Sequence, residues 1–164
     1  MKSFRLLGSL AALALAACST TGPNGAGGDD SDRVNGTALP ERIEGASFFG
    51  SNVDRSQFSP VHFAFDSSAV GEAERPKLQA VAEFSHGSRN SIIIAGFTDE
   101  RGTPEYNRGL GERRALTVRE ELIKLGVPGQ RLQTVSFGAE LPADSGSNES
   151  AWAKNRRAEF GVVR

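Results

Sequence analysis

One cysteine, Cys18, occurs in 164 residues, so no disulfide can form within the chain. Adding the two histidines, His62 and His86, still makes a poor inventory for a zinc site. A single Trp and a single Tyr argue against a sugar platform built from several aromatics. Neither sign of charge dominates: 19 basic and 20 acidic residues leave a net charge of -1, which gives no footprint for nucleic acid. The apolar run at residues 6–17 is too short for an ordinary membrane span.

What is present begins with that run. Lys2 and Arg5 precede it and small residues close it, the build of a secretory signal over residues 1–17. Its ending, "LAAC", resembles the lipobox of bacterial lipoproteins, with Cys18 as the lipidated first residue of the mature chain. The alternative is an ordinary signal peptide in which Cys18 is incidental. One acyl chain holds a membrane only marginally and stable anchoring needs at least two. The resemblance implies three, palmitate among them. Ser19, where an Asp would favour inner-membrane retention, resembles the outer-membrane case.

Residues 18–57 are rich in Gly, Ser, Thr, Asp and Asn and show no apolar period. Such a segment buries too little apolar surface to offset its ordering entropy, and it reads as a flexible tether. About 40 residues give an r.m.s. reach of roughly 35 Å and an extended limit of roughly 130 Å. Phe48 and Phe49 are the exception, placed to pack on the edge of a domain.

The domain itself is expected at 58–164. Residues 61–65, "VHFAF", alternate like a short strand. Over 72–86, Leu78, Val81, Ala82 and Ser85 recur at helical spacing, with Pro76 confined to the first turn. Residues 91–97, "SIIIAGF", form a continuous apolar run, as in a strand covered on both faces. A helix over 104–125 has Thr103 as N-cap, Pro104 at N1 and Gly126 just past its end. Strands at 132–138 and 158–164 flank a possible short helix in "AWAKNRRA". The order β-α-β-α-β-β is an α+β sandwich, with helices packed on a mixed four-stranded sheet.

The stretch "GFTDERGTPEYNRGLGERRA", residues 96–115, poses the functional question. On a wheel of 100° per residue with Asn107 at zero, Val118, Leu122 and Leu125 fall within roughly 60° and Arg114 within about 20°. Leu110 lies beside them. Asn107 and Arg114 therefore belong to the sheet-facing stripe. Arg108, Glu112, Arg113, Arg119 and Glu120 read as a solvated face. A half-buried arginine stays charged and calls for an anionic partner. Asp99, just past the strand end, is the nearest candidate. Gly96 and Gly102 allow close backbone approach or positive φ there. One reading is an Asp99–Arg114 ion pair tying loop to helix. The other is a site for a group carrying both charges, because a buried ion pair adds little stability by itself.

"TDERGTPEYN", "LGERRA", "TVSFG" and "KNRRA" resemble the OmpA-like peptidoglycan-binding domain family over residues 60–164, and within it the peptidoglycan-associated lipoproteins of Gram-negative bacteria. The resemblance implies non-covalent binding of diaminopimelate in the peptidoglycan stem peptide, with its ammonium at Asp99 and its carboxylate at Arg114. Asn107, Leu110, Arg101, Phe65 and Asp66 would line or support the pocket. The free N–H groups at the helix start, around Pro104 to Tyr106, would favour a second carboxylate. It also implies an outer-membrane lipoprotein facing the periplasm, linking membrane to wall, with Tol-system proteins including TolB as partners in cell division and envelope integrity. The family usually carries a small polar residue or His at the position of Phe97, a departure that bears on affinity if that side chain orients Asp99. Arg156 and Arg157 read as sheet-capping residues outside the site.

Nothing in the spacing favours catalysis. Asp99 and Glu100 are neighbours in sequence, which does not aim both at one ligand, and His62 and His86 lack the spacing of a metal motif. The chain is read as a non-enzyme without cofactor, against the rivals of a peptidoglycan hydrolase or an OmpA-like lipoprotein outside the Tol–Pal system.

Overall fold

A computed structural model describes residues 47–164 together with two short strands near residue 35, within the compact unit of residues 31–164. The signal, Cys18 and most of the tether expected from the sequence lie outside the described residues. The short pair is β1 (Arg33–Val34) and β2 (Thr37–Ala38), antiparallel to each other.

The remaining elements follow in chain order: β3 (Val53–Asp54), β4 (Val61–His62), α1 (Arg75–Gly87), β5 (Ile92–Phe97), α2 (Pro104–Lys124), β6 (Leu132–Gly138), α3 (Glu149–Asn155) and β7 (Arg157–Val163). Among the described residues the main sheet has five strands rather than four. β5 is central, parallel to β6 and antiparallel to β7. β3 and β4 lie end to end along the outer side of β7, both antiparallel to it. β3 was hidden because "VD" is too short to show any alternation.

β5 is buried along its whole length because both sheet faces are covered. On one face Ile92 and Ile94 meet Leu78, Val81 and Ala82 of α1 and Ala115, Val118 and Leu122 of α2. On the other, Ile93, Ala95 and Phe97 pack with Phe48. The folded body therefore begins by residue 47, not 58. Phe48 is buried against Phe97 and Phe137, and those two rings are stacked at 5.4 Å. An aromatic pair is enough to hold a segment whose Gly and Ser content alone argued for disorder.

α1 buries Leu78, Val81, Ala82 and Ser85, the residues expected from its period. Glu74, just before it, accepts from the His62 N–H and from Lys77 Nζ, tying α1 to β4. α2 opens on Thr103, whose hydroxyl accepts from the Tyr106 N–H, and stops before Gly126, which has φ of +90°. Leu125, placed on the core stripe by the wheel, is exposed, because α2 ends at Lys124 and the chain turns there. Arg119, read as solvated, is only 2% exposed: its Nε and Nη2 donate to the carbonyls of Leu132 and Gly129. Glu112 is half-buried and accepts from Thr134 Oγ1. A helix seated this deeply on a sheet covers more than its apolar stripe.

The depth has a definite cause. A Cβ on Gly96 of β5 would stand 1.9 Å from the carbonyl oxygen of Gly111 of α2, and one on Gly111 would stand 2.4 Å from Ser136 Oγ of β6. Only glycine admits this approach. It sets the N-terminal half of α2, which carries Asn107 and Arg114, against the top of β5.

Candidate functional site

Strand β4 is shorter than the expected 61–65. Beyond His62 the chain keeps one ladder bond, the Phe63 N–H to the Arg156 carbonyl, and then turns away. Asp66 has φ of +53°, a left-handed conformation that a short polar residue tolerates. This departure lifts Phe65 and Asp66 to the top of the sheet. There they meet the loop after β5 and the start of α2.

The result is a pocket of about 170 Å³ lined by Phe65, Asp66, Thr98, Asp99, Arg101, Gly102, Tyr106, Asn107, Leu110 and Arg114. All seven residues singled out as site candidates (Asp99, Arg114, Asn107, Leu110, Arg101, Phe65 and Asp66) are on that lining. Thr98, Gly102 and Tyr106 join them. Strand parity could have found Thr98: Ile92, Ile94 and Gly96 face the helices, so Thr98 does as well.

The charges are wired differently from the expectation. Arg114 is 0% exposed, yet among the described residues it makes no ion pair. Its Nε donates to the Ser67 carbonyl at 2.9 Å, Nη1 to the Phe97 carbonyl at 2.8 Å and Nη2 to the Ala64 carbonyl at 3.2 Å. Backbone carbonyls have replaced the expected carboxylate, and they come from both walls of the pocket. Burial lowers the Arg114 pKa to about 10, against the field of nearby Asp99, so it remains a cation at neutral pH. The Phe63 ring lies 5.0 Å from the same guanidinium.

Asp99 is held instead by Arg101. Arg101 Nε donates to Oδ1 at 3.1 Å, Nη2 to Oδ2 at 2.7 Å, and the Arg101 N–H to Oδ1 at 3.1 Å. Arg156 Nη1 stands 3.5 Å from Oδ2. Burial raises the Asp99 pKa, but the Arg101 bonds outweigh it and hold the carboxyl below the usual range. The guanidinium of Arg101 lies between the rings of Phe65, at 4.0 Å, and Trp152, at 4.2 Å. Arg156, set aside as a capping residue, is thus both: it reaches Asp99, and it pairs with Glu149 of α3 at 2.8 Å.

Asn107 donates through Nδ2 to the Arg101 carbonyl and fixes the loop. Asp66 accepts from the Tyr106 hydroxyl across the pocket mouth. The Tyr106 N–H is not free for a second carboxylate, because Thr103 caps it. Phe97 points its ring away from the pocket, under the Arg157 guanidinium at 3.9 Å, and contributes only its carbonyl to the site. Glu100 accepts from Trp152 Nε1 and is not on the lining, so Asp99 and Glu100 do not share a ligand. Among the described residues, no group of three or more His, Cys, Asp or Glu is arranged to hold a metal, and no helix is long and apolar enough to cross a membrane.

The family model for the OmpA family matches residues 62–156, a span that contains the whole pocket. The chain belongs to the OmpA family. Among its OmpA-family relatives is a peptidoglycan-associated lipoprotein of Pseudomonas aeruginosa, 39% identical over 93% of this chain and 95% of its own. Another of that name, from Legionella pneumophila, is 40% identical over 96% of this chain and 94% of its own. A crystal structure of the peptidoglycan-associated lipoprotein from Burkholderia pseudomallei covers 63% of this chain and 87% of its own, at 43% identity and a TM-score of 0.60. The C-terminal domain of Helicobacter pylori MotB covers 65% of this chain at a TM-score of 0.61, but its 24% identity speaks to the fold alone. The OmpA-like α+β architecture expected from the sequence is the one observed. The OmpA family is a structural, non-enzymatic one.

Proposed function

We propose that this OmpA-family domain binds peptidoglycan non-covalently, taking the zwitterionic end of diaminopimelate from the stem peptide into the pocket between Asp99 and Arg114. Supporting it above all is the convergence of the seven candidate residues on one small hollow where a buried arginine stands near an acid. The names of the relatives point the same way. Size agrees too. The pocket offers about 170 Å³. That is too little for a whole drug-sized ligand and ample for the five heavy atoms of an amino-acid head group.

Arg114 is the carboxylate receptor in this reading. Guanidinium carries five N–H groups, three of which hold carbonyls here. The remaining two serve a charge-assisted bond to the ligand. Asp99 receives the ammonium. A carboxylate offers about four lone-pair sites. Arg101 and Arg156 use them all, so the ligand's ammonium takes the place of the Arg101 guanidinium. In the wider setting Cys18 carries the lipid, residues ahead of Ser47 act as spacer, and the domain links the outer membrane to the wall from the periplasmic side. Its partners are Tol-system proteins including TolB, within the Tol–Pal system.

Sacculus pull-down with the wild type, Asp99→Ala and Arg114→Lys tests the pocket, with melting measured alongside. Both variants are expected to lose binding while Arg114→Lys stays folded, because lysine keeps the charge and loses the fork. A diaminopimelate peptide amidated at its carboxylate should bind the wild type poorly. Equal binding of the free and amidated peptides would remove Arg114 from the receptor role. For the anchor, Cys18→Ala should leave the outer-membrane fraction. Normal maturation and retention of that variant would sink the lipid assignment.

A further inference from the structure

Thr98 is the one polar residue of the lining whose side chain the fold has not used. It is 3% exposed, and among the described residues its Oγ1 has no hydrogen-bond partner. Its backbone is fixed, because the Thr98 N–H donates to the Gly138 carbonyl at 2.8 Å. The hydroxyl therefore cannot escape to water by a shift of the strand. Buried hydroxyls are nearly always satisfied, and leaving one unmade is costly. Ser85 Oγ is the other such atom, but it lies on the core face of α1 and lines none of the described pockets, so it invites no ligand.

We propose that the Thr98 hydroxyl is a ligand-binding group, donating to the same carboxylate that Arg114 receives; this rests on the pocket reading above. The geometry favours the carboxylate over the ammonium. Arg114 Nη1 bonds the carbonyl of Phe97, the peptide group leading directly into Thr98, and both Thr98 and Arg114 are on the pocket lining. The Asp99 carboxylate is drawn the other way, toward Arg101 and Arg156. Thr98 and Arg114 thus offer neutral and charged donors to one anion.

The test uses the full chain and a soluble peptide ending in diaminopimelate, as free acid and as amide. Valine has the shape of threonine without the hydroxyl. Thr98→Val should melt at or above the wild-type temperature while binding the free acid about tenfold more weakly, the loss of one bond to a charged group. Thr98→Ser should bind within about twofold of wild type. The amide should bind wild type and Thr98→Val alike. Thr98→Ala repeats the deletion should the valine variant misfold. Wild-type affinity in either deletion would overturn the proposal and leave Thr98 a structural residue. An equal loss for acid and amide would overturn the carboxylate assignment. Failure of the wild type to bind the free acid would overturn the pocket reading itself, and this inference with it.

Discussion

The guanidinium of Arg101 closes on both carboxylate oxygens of Asp99, Nε at 3.1 Å from Oδ1 and Nη2 at 2.7 Å from Oδ2, while its flat faces lie against Phe65 and Trp152. Asp99 thus carries an internal cation where an external one is proposed to bind. Entry of a ligand ammonium has to open this contact and release the stack.

Trp152 is the chain's only tryptophan, so its emission reports that event directly. Titration of the diaminopimelate peptide should change the fluorescence of the wild type and saturate with binding. In Arg101→Ala the unliganded emission should already lie close to the bound value, and the ligand should alter it little. A full-sized ligand-induced change in Arg101→Ala would mean that Trp152 senses something other than the departure of Arg101.

Arg114 holds the pocket together as well as facing it. Its three bonds join the loop at 64–67 to the end of β5, and alanine takes the guanidinium from all three carbonyls, of which that of Ala64 still accepts from the Ser67 N–H. Bonds to charged groups are worth about 1.5–3 kcal/mol each and do not add fully, so Arg114→Ala should lose roughly 3–5 kcal/mol of stability. Urea unfolding measures it. A loss under about 1 kcal/mol would show that water replaces the guanidinium without strain.

Gly96→Ala should be among the most damaging single-methyl changes available. The new Cβ meets backbone at 1.9 Å, which no rotamer relieves, and α2 has to lift off β5. Destabilisation of about 3 kcal/mol or more is expected, above the usual 1–3 kcal/mol of overpacking. Binding should fall with it, since Arg114 and Asn107 ride on the displaced helix. A variant that melts like wild type would contradict the close approach.

Acid should weaken the site through Asp99. Its folded pKa is depressed below the ordinary 3.8, so the carboxylate contributes stability that is fully present above that value. The contribution is lost as pH falls through the folded pKa. Melting temperature against pH should therefore drop more steeply below about pH 4 for the wild type than for Asp99→Asn, which has no proton to take up. Parallel curves would assign the acid sensitivity to other carboxylates.

Phe48→Ala should cost about 3–5 kcal/mol, as for other buried phenylalanines, although it lies in a segment that reads as linker. A chain starting at residue 58 should melt well below one starting at 47. Equal melting would return residues 47–57 to the tether.

The long periodic elements were legible because each states its burial in its own residues: Leu78, Val81, Ala82 and Ser85 for α1, the unbroken apolar run for β5, and Thr103, Pro104 and Gly126 for the limits of α2. Three of the pocket-lining residues were legible in the same way, because Asn107, Leu110 and Arg114 share one stripe of α2; Asp99 came from its place just past a strand end, and Arg101, Phe65 and Asp66 only from the family resemblance. Their partners were not. Helical phase fixes which way Arg114 points, but the carbonyls it meets belong to Ala64 and Ser67, nearly 50 residues away and brought in by the turn at Asp66. Arg119 misled because its carbonyl acceptors at Gly129 and Leu132 leave no trace in side-chain chemistry. β3 was lost in a polar stretch because two-residue pairing carries no period, whereas Phe48 stood out there as an aromatic exception and is buried as that reading implied.

Phe97 has a mechanical consequence. A pull on the chain ahead of Ser47 enters the sheet through Phe48, whose ring rests on Phe97, while the carbonyl of that same Phe97 grips Arg114 on the opposite face. Tension between an N-terminal attachment and an occupied pocket is then borne across the thickness of one strand rather than along the length of the domain. β5 is flanked by β6 on one side and β7 on the other, so that strand works like a rivet seated between two plates. Helix α1 is left largely out of the line of force.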